Sequence, residues 1–277
     1  MIVYPWLIMI ASVSAPVSVS PVARNLAVRV AAIADLHMKA DGSSLATQLT
    51  DLSQRADLLL VAGDLTDTGR IVEAQAAAEL LAAVSIPVIA VFGNHDLRTV
   101  RRLALRRVFE RHGIAVLDGE ASHLTTNSGL RVGVAGITGS GGGFWPIEGP
   151  DAIHARTLKR LALRSRREAQ ALDHALSSLE ADVTIALMHF SPTVSTLGRE
   201  PIAKYWMLGN CELGLVLDRH RPNLVIHGHA HLGNLEGHTI GGVPVRNVAV
   251  SITSGVYVES LPRADSVPAQ SLASTRP

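Results

Sequence analysis

Short β-branched runs alternate with helix-patterned stretches from residue 26 to residue 261, and this alternation restricts the possible folds more than any other feature. Residues 26–34, 58–62, 88–92, 131–135, 183–188, 223–226 and 243–250 read as strands. Helical spacing covers 43–55, 70–83, 100–112 and a long stretch from about 152 to 179. Strands separated by helices predict an α/β domain with a buried, largely parallel sheet, whose ligands gather beyond the carboxyl ends of the strands. Of the 277 residues, 47% are hydrophobic and 18% charged, which suffices for a substantial core and argues against disorder. There is no internal repeat and no second composition regime, so 26–261 reads as one domain.

The flanks differ in character. Residues 1–25 form an apolar leader with no charge before Arg24, interrupted by Pro5 and diluted by Ser12, Ser14 and Pro16. A membrane span needs about 20 continuous apolar residues, so none is expected here. The triplet Val13-Ser14-Ala15 resembles a cleavage site, but no Lys or Arg precedes it and Pro16 follows at once. The expectation is an unstructured leader on a cytoplasmic protein, with export as the alternative if the apolar stretch is a signal peptide. Residues 262–277, rich in Pro, Ser, Ala and Arg, read as a solvated tail. A net charge of +1 argues against a large nucleic-acid-binding surface. Cys211 is the sole cysteine, so a metal would have to be held by His, Asp, Glu or Asn.

Side chains able to hold a metal follow the strands in order. The first strand is followed by Asp35-Leu36-His37, the second by Gly63-Asp64-Leu65-Thr66-Asp67, and the third by Gly93-Asn94-His95-Asp96. Later strands end in Met188-His189 and in His227-Gly228-His229-Ala230-His231. In an extended segment, alternate side chains point the same way, so Asp35 with His37 and His229 with His231 can each approach one centre. Carboxylate, imidazole and amide oxygen together suit Mn, Fe, Zn, Ni or Co. Any one of these motifs occurs by chance; the ordered set, each member directly after a strand, does not.

This ordered set resembles the calcineurin-like metallophosphoesterase superfamily, and the resemblance runs from about Val28 to Val250. It implies a two-sheet α/β/β/α sandwich and two divalent metal ions, Mn²⁺, Fe²⁺/Fe³⁺ or Zn²⁺. By the same resemblance Asp35, His37, Asp64 and His231 would hold one metal, and Asp64, Asn94, His189 and His229 the other, with Asp64 bridging. His95 would stay off the metals and act as general acid on the leaving group, while a metal-bridging hydroxide would be the nucleophile. Asp67 and Asp96 are candidates to orient His95, with backbone capping of their loops as the alternative. Protein Ser/Thr phosphatases of the superfamily carry Arg and Glu where this chain has Thr68 and Asp96, which shifts the expectation toward a phosphodiesterase on a small phosphoester or nucleotide. His189-Phe190-Ser191-Pro192 with Arg199-Glu200-Pro201 resembles a group of small bacterial members. A non-catalytic metal-binding module and a nuclease are the alternatives; oligomeric state has no sequence signal.

Other features attract weaker readings. The run 139–143 lacks the Gly-Lys-Ser/Thr of a nucleotide P-loop and reads as a loop beside the site, with Phe144 and Trp145 as candidate substrate contacts. Arginines in 98–111 and 156–167 alternate with leucines at helical spacing and read as solvated helix faces rather than a nucleic-acid surface. His227 reads as core or as support for a ligand; His112, His123, His154, His174, His220 and His238 have no assigned role.

Overall fold

The computed structural model describes residues 27–39, 46–144 and 155–263. The expected leader 1–25 and Trp145 lie outside the described residues, as does the tail beyond Arg263. In chain order the elements are β1 (Ala27–Ile33), α1 (Ala46–Leu49), α2 (Leu52–Arg55), β2 (Leu58–Ala62), α3 (Ile71–Ala82), β3 (Val88–Val91), α4 (Arg102–Arg111), β4 (Ala115–Leu117), β5 (Glu120–Thr125) and β6 (Arg131–Ile137). They continue with α5 (Ala155–Ser177), β7 (Val183–Met188), α6 (Tyr205–Leu208), α7 (Cys211–His220), β8 (Leu224–His227), β9 (Glu236–His238), β10 (Pro244–Asn247), α8 (Val250–Thr253) and β11 (Tyr257–Pro262).

Two sheets carry the architecture, with strand orders β11-β1-β2-β3-β4 and β5-β6-β7-β8-β10-β9. Their inner strands run parallel, while β11, β5 and β9 pair antiparallel at the edges. The period-2 alternation of each strand explains the layers. Val28, Val30, Ala32, Leu58 and Leu60 meet Val134, Ile185, Leu187 and Ile226 between the sheets. The intervening residues Ala31, Ile33, Leu59 and Val61 pack outward on Ala74, Ala78 and Leu81 of α3 and on Leu105 and Phe109 of α4. On the far side, Ala186 and Met188 pack under Leu172 and Leu176 of α5 and Leu213 and Leu217 of α7. The result is the expected helix–sheet–sheet–helix sandwich. Truncating a fully buried residue such as Leu60 to Ala would cost about 2–5 kcal/mol.

Several sequence expectations change in detail. The helix expected over 43–55 is two short turns, because Asp51 adopts the left-handed region at φ 55° and breaks the ladder. The strand expected over 243–250 stops at Asn247, and Val250 begins α8. The helix α7 and the strands β4, β5, β9 and β11 have no counterpart in the sequence reading. Pro262, where the tail was expected to begin, is the last residue of β11 and pairs with Ala27. Among the described residues, no helix is long and apolar enough to cross a membrane.

Candidate metal centre

Five loops leave the carboxyl ends of β1, β2, β3, β7 and β8 and are fastened to one another by main-chain hydrogen bonds. Asp35 N donates to Gly63 O and His37 N to Asp64 O, each at 3.0 Å, and Gly228 N donates to His189 O at 3.2 Å. These bonds bring together every metal-ligand candidate of the sequence. Three groups of potential ligand atoms, each within 4.8 Å, form among the described residues: Asp35 with His37 and His231, Asp64 with His37 and His95, and Asp64 with His189 and His229. Asp64 belongs to two of the three. Asn94 joins them through its Oδ1, 2.9 Å from His189 Nε2.

The backbone at this centre is unusual. Seven described non-glycine residues have left-handed φ, and four of them are Asp35 (59°), His37 (42°), Asp64 (50°) and His229 (70°). Such conformations cost on the order of 1 kcal/mol or more apiece and persist where surrounding structure imposes them. Here the loop-to-loop hydrogen bonds impose them, and the effect is to turn four ligand candidates inward just past their strands. Two glycines make room. A Cβ on Gly93 would collide with the Asp64 carboxylate, and one on Gly228 would lie 2.6 Å from Asp35 Oδ2.

Main-chain carbonyls aim the imidazoles. His189 Nδ1 lies 2.9 Å from Ala62 O, so it carries the hydrogen and leaves Nε2 facing Asn94 Oδ1 and Asp64 Oδ2, the latter 3.5 Å away. His229 Nε2 lies 3.2 Å from Met207 O, which frees Nδ1 for the centre. His37 Nδ1 is buried with no hydrogen-bond partner. Imidazoles that each turn one ring nitrogen toward the centre, around acceptor-only carboxylates, match what a transition-metal site requires, so the donor set fits divalent cations.

Charge is concentrated in the centre. Burial opposes ionisation of Asp64, but the charge and hydrogen bond of His189 and the backbone N–H of His95 hold its carboxyl well below the usual range. Burial likewise opposes ionisation of Asp35, yet the hydrogen bond from His231 and the charge of His189 keep it low. For His189, burial disfavours the imidazolium and is outweighed by Asp64, which lifts the pKa to about 9. Burial, together with the His189 charge, drives His229 down to about 3.

His95 sits apart from this pattern. Its Nδ1 lies 2.7 Å from the Asp67 carbonyl oxygen and its Nε2 lies 2.8 Å from an Arg98 guanidinium nitrogen, so both ring nitrogens are engaged within the protein. The Asp67 carboxylate is 3.8 Å away and makes no hydrogen bond to it, so the expected carboxylate orienter is in fact a main-chain carbonyl. Asp96 follows the alternative expectation of backbone capping. Fully buried, it accepts from Leu65 N (3.2 Å), Thr66 N (2.8 Å), Thr66 Oγ1 (2.6 Å) and Gly93 N (2.8 Å), and so pins the Asp64 loop to the Asn94 loop without touching His95. Thr68 is occupied by Glu73, which accepts from its N–H and its hydroxyl.

The remaining candidates fall outside the centre. His227 is fully buried, with Nδ1 on Gly228 O and Nε2 on the Thr196 hydroxyl, and belongs to the core. Phe144, expected as a substrate contact, is 5% exposed and packs with Leu197, Leu208 and Ala230, so it is structural. On the arginine-bearing helices, read as solvated faces, Arg102 bridges to Asp118, Arg106 to Glu110 and Glu120, and Arg164 to Glu168. Sequence reasoning missed Glu200, a buried carboxylate that accepts Leu232 N at 2.9 Å and braces the His229–His231 loop. Its placement in Arg199-Glu200-Pro201 was the available signal.

Two facing α/β sheets whose strand ends converge carboxylates, imidazoles and an amide define a metallohydrolase-type sandwich. The chain belongs to the calcineurin-like phosphoesterase family, whose model matches residues 28–233. A glycerophosphodiester phosphodiesterase, GpdQ, of Enterobacter lignolyticus (strain SCF1) is 34% identical over 61 residues, a match spanning 22% of this chain and 22% of that relative's length. Among solved structures, the phosphopantetheinyl hydrolase PptH from Mycobacterium tuberculosis superposes with a TM-score of 0.59 at 19% identity, over 81% of this chain and 90% of that one. A hypothetical protein from Thermus thermophilus superposes with a TM-score of 0.50 at 16% identity, over 79% and 75% of the two chains. These likenesses show a shared fold.

Proposed function

We propose that the protein is a dinuclear metal-dependent phosphohydrolase that cleaves a phosphodiester bond in a small molecule or nucleotide. The observation that carries this reading is the clustering of three ligand groups, two of them sharing Asp64, at the carboxyl ends of strands from both sheets. In this reading Asp35, His37, Asp64 and His231 hold one cation, and Asp64, Asn94, His189 and His229 the other. When bound, such a pair of cations clamps the phosphoryl oxygens and offsets the charge that develops on them during displacement. Asp64 suits the bridging position because one ionised carboxylate offers two oxygens; its Oδ1 is oriented by the His95 N–H at 2.8 Å.

His95 is the general acid in this account. With Nδ1 held by the Asp67 carbonyl, its Nε2 lies 4.0 Å from Asp64 Oδ2, beside the phosphoryl position yet outside the ligand set. The Arg98 guanidinium now donates to the Nε2 lone pair, so protonation of Nε2 requires that contact to open, and the proton then donated neutralises the departing alkoxide. The Thr68–Glu73 bonding removes Thr68 from substrate contact, and the GpdQ match supports a diester over a phosphoprotein substrate.

A panel of phosphomonoesters, linear diesters, cyclic nucleotides and phosphopeptides, assayed with Mn²⁺, Zn²⁺ and Mg²⁺ beside elemental analysis, tests the reading. The expected outcome is two transition-metal ions per chain, loss of activity on chelation and highest kcat/KM on a diester. At most one metal after Mn²⁺ reconstitution would refute the dinuclear part, and a higher kcat/KM on phosphoserine peptides than on every diester would refute the substrate class.

A further inference from the structure

Arg98 closes the 3-10 turn Asp96–Arg98 that follows the Asn94–His95 loop. Its guanidinium donates to His95 Nε2 at 2.8 Å and to the Asp67 carbonyl at 3.4 Å. Neither partner is a carboxylate, and Arg98 makes no other hydrogen bond or ion pair among the described residues. Other arginines differ. Arg29, Arg102 and Arg106 each meet an aspartate or glutamate that offsets their charge.

A guanidinium keeps its charge at any working pH and offers five N–H donors in a planar fork. One lone pair on an imidazole and one long contact to a carbonyl leave most of those donors, and the whole charge, uncommitted. The position of that charge is specific. It lies against the Nε2 edge of His95, the nitrogen that also faces Asp64 at 4.0 Å and from which the departing part of a substrate would be protonated.

We propose that Arg98 is a specificity residue that binds an oxyanion carried by the leaving portion of the phosphoester. The preferred substrate thus bears a carboxylate or a second phosphate near the scissile bond on the leaving side, and a cationic leaving group is rejected. The inference rests on the phosphohydrolase reading and sharpens its substrate class. The planar fork can grip two oxygens of a carboxylate or phosphate at once, whereas a quaternary ammonium in the same place would meet an unscreened positive charge.

The test uses methyl aryl phosphodiesters that differ only at the 3-position of the leaving phenol: carboxylate, phosphonate, carboxamide and trimethylammonium. The readout is the ratio of kcat/KM values between leaving groups. The full chain is expected to favour the anionic leaving groups over the trimethylammonium by about 10-fold, the order of one hydrogen bond between charged groups. Arg98→Gln should bring that ratio to within about 2-fold of unity, and Arg98→Lys should retain part of it; both thresholds are about the resolution of one lost ionic contact. A larger preference for phosphonate than for carboxylate identifies phosphate as the natural oxyanion, and the reverse identifies carboxylate. A ratio unchanged in Arg98→Gln overturns the proposal, as does an equal loss on all four substrates, which would mean that Arg98 merely steadies His95. If no diester is hydrolysed, the hydrolase reading fails and a binding arm decides alone. By isothermal titration, 3-hydroxyphenylphosphonate should bind more tightly than 3-hydroxybenzamide, and this difference should vanish in Arg98→Gln; equal binding of the two by the unaltered protein overturns the proposal.

Discussion

Replacing Asp96 tests whether its carboxylate is the pin that holds two loops of the centre together. In Asp96→Ala the amides of Leu65, Thr66 and Gly93 lose their acceptor in a fully buried setting. At about 2 kcal/mol for each stranded buried donor, the gross loss is about 6 kcal/mol. Part of this returns, because burial and the neighbouring Asp64 charge raise the Asp96 pKa to about 6 from 3.8, so its ionised form is itself costly. A difference of about 2 pK units corresponds to about 3 kcal/mol at neutral pH. The net expectation is about 3 kcal/mol of destabilisation for Asp96→Ala, and less than about 2 for Asp96→Asn, which keeps one acceptor and sheds the charge. Urea unfolding of the chelator-treated protein at about pH 7.5, followed by far-ultraviolet circular dichroism, reads both values if the m-value holds steady. A shift below about 1 kcal/mol in Asp96→Ala, or a greater loss in Asp96→Asn than in Asp96→Ala, would refute the reasoning.

Other expectations address catalysis, metal binding and pH. His95→Asn should retain both metals while kcat falls by roughly 10²–10⁴-fold on poor leaving groups and far less on p-nitrophenolate; equal slowing on all leaving groups would count against a proton donor. Asp64→Asn should instead lose metal and slow every substrate alike, as read by elemental analysis beside the same kinetics. Gly228→Ala should push the Asp35 carboxylate aside and lower metal occupancy, since its Cβ would lie 2.6 Å from Asp35 Oδ2; full occupancy would show that the loop yields. Burial drives His227 down to about 4 from 6.5, so its neutral form stabilises the fold fully above pH 6.5 and that contribution is lost as pH falls toward 4. The chelated protein should therefore lose about 3 kcal/mol more between about pH 7 and pH 4 than His227→Leu does, in paired urea titrations at each pH. Thr196 keeps its bond to Ser191 in that variant, so the comparison isolates the imidazole.

The chain by itself determined the α/β class and the identity of the ligand candidates, because both depend on local information, whereas the second sheet was implied only by the family resemblance. Nearly continuous apolar runs in 58–62 and 183–188 require two buried faces, and Asp35, Asp64, Asn94, His189 and His229 stand just past strand ends. Tertiary structure decided what local chemistry cannot encode. The carbonyls of Ala62, Asp67 and Met207 aim three imidazoles, yet every residue has a carbonyl and none announces its partner in sequence. The left-handed turns at Asp35, His37, Asp64 and His229 arise from hydrogen bonds between loops, against the intrinsic preference of those residues. The pairing of β11 with β1 joins Pro262 to Ala27 across nearly the whole domain, and of its residues Leu261 alone is buried, too little apolar burial to mark a strand in the sequence. Asp96 makes the same point at one residue: a carboxylate after Gly-Asn-His suggests chemistry, and only the positions of Leu65, Thr66 and Gly93 around it turn it into a structural pin.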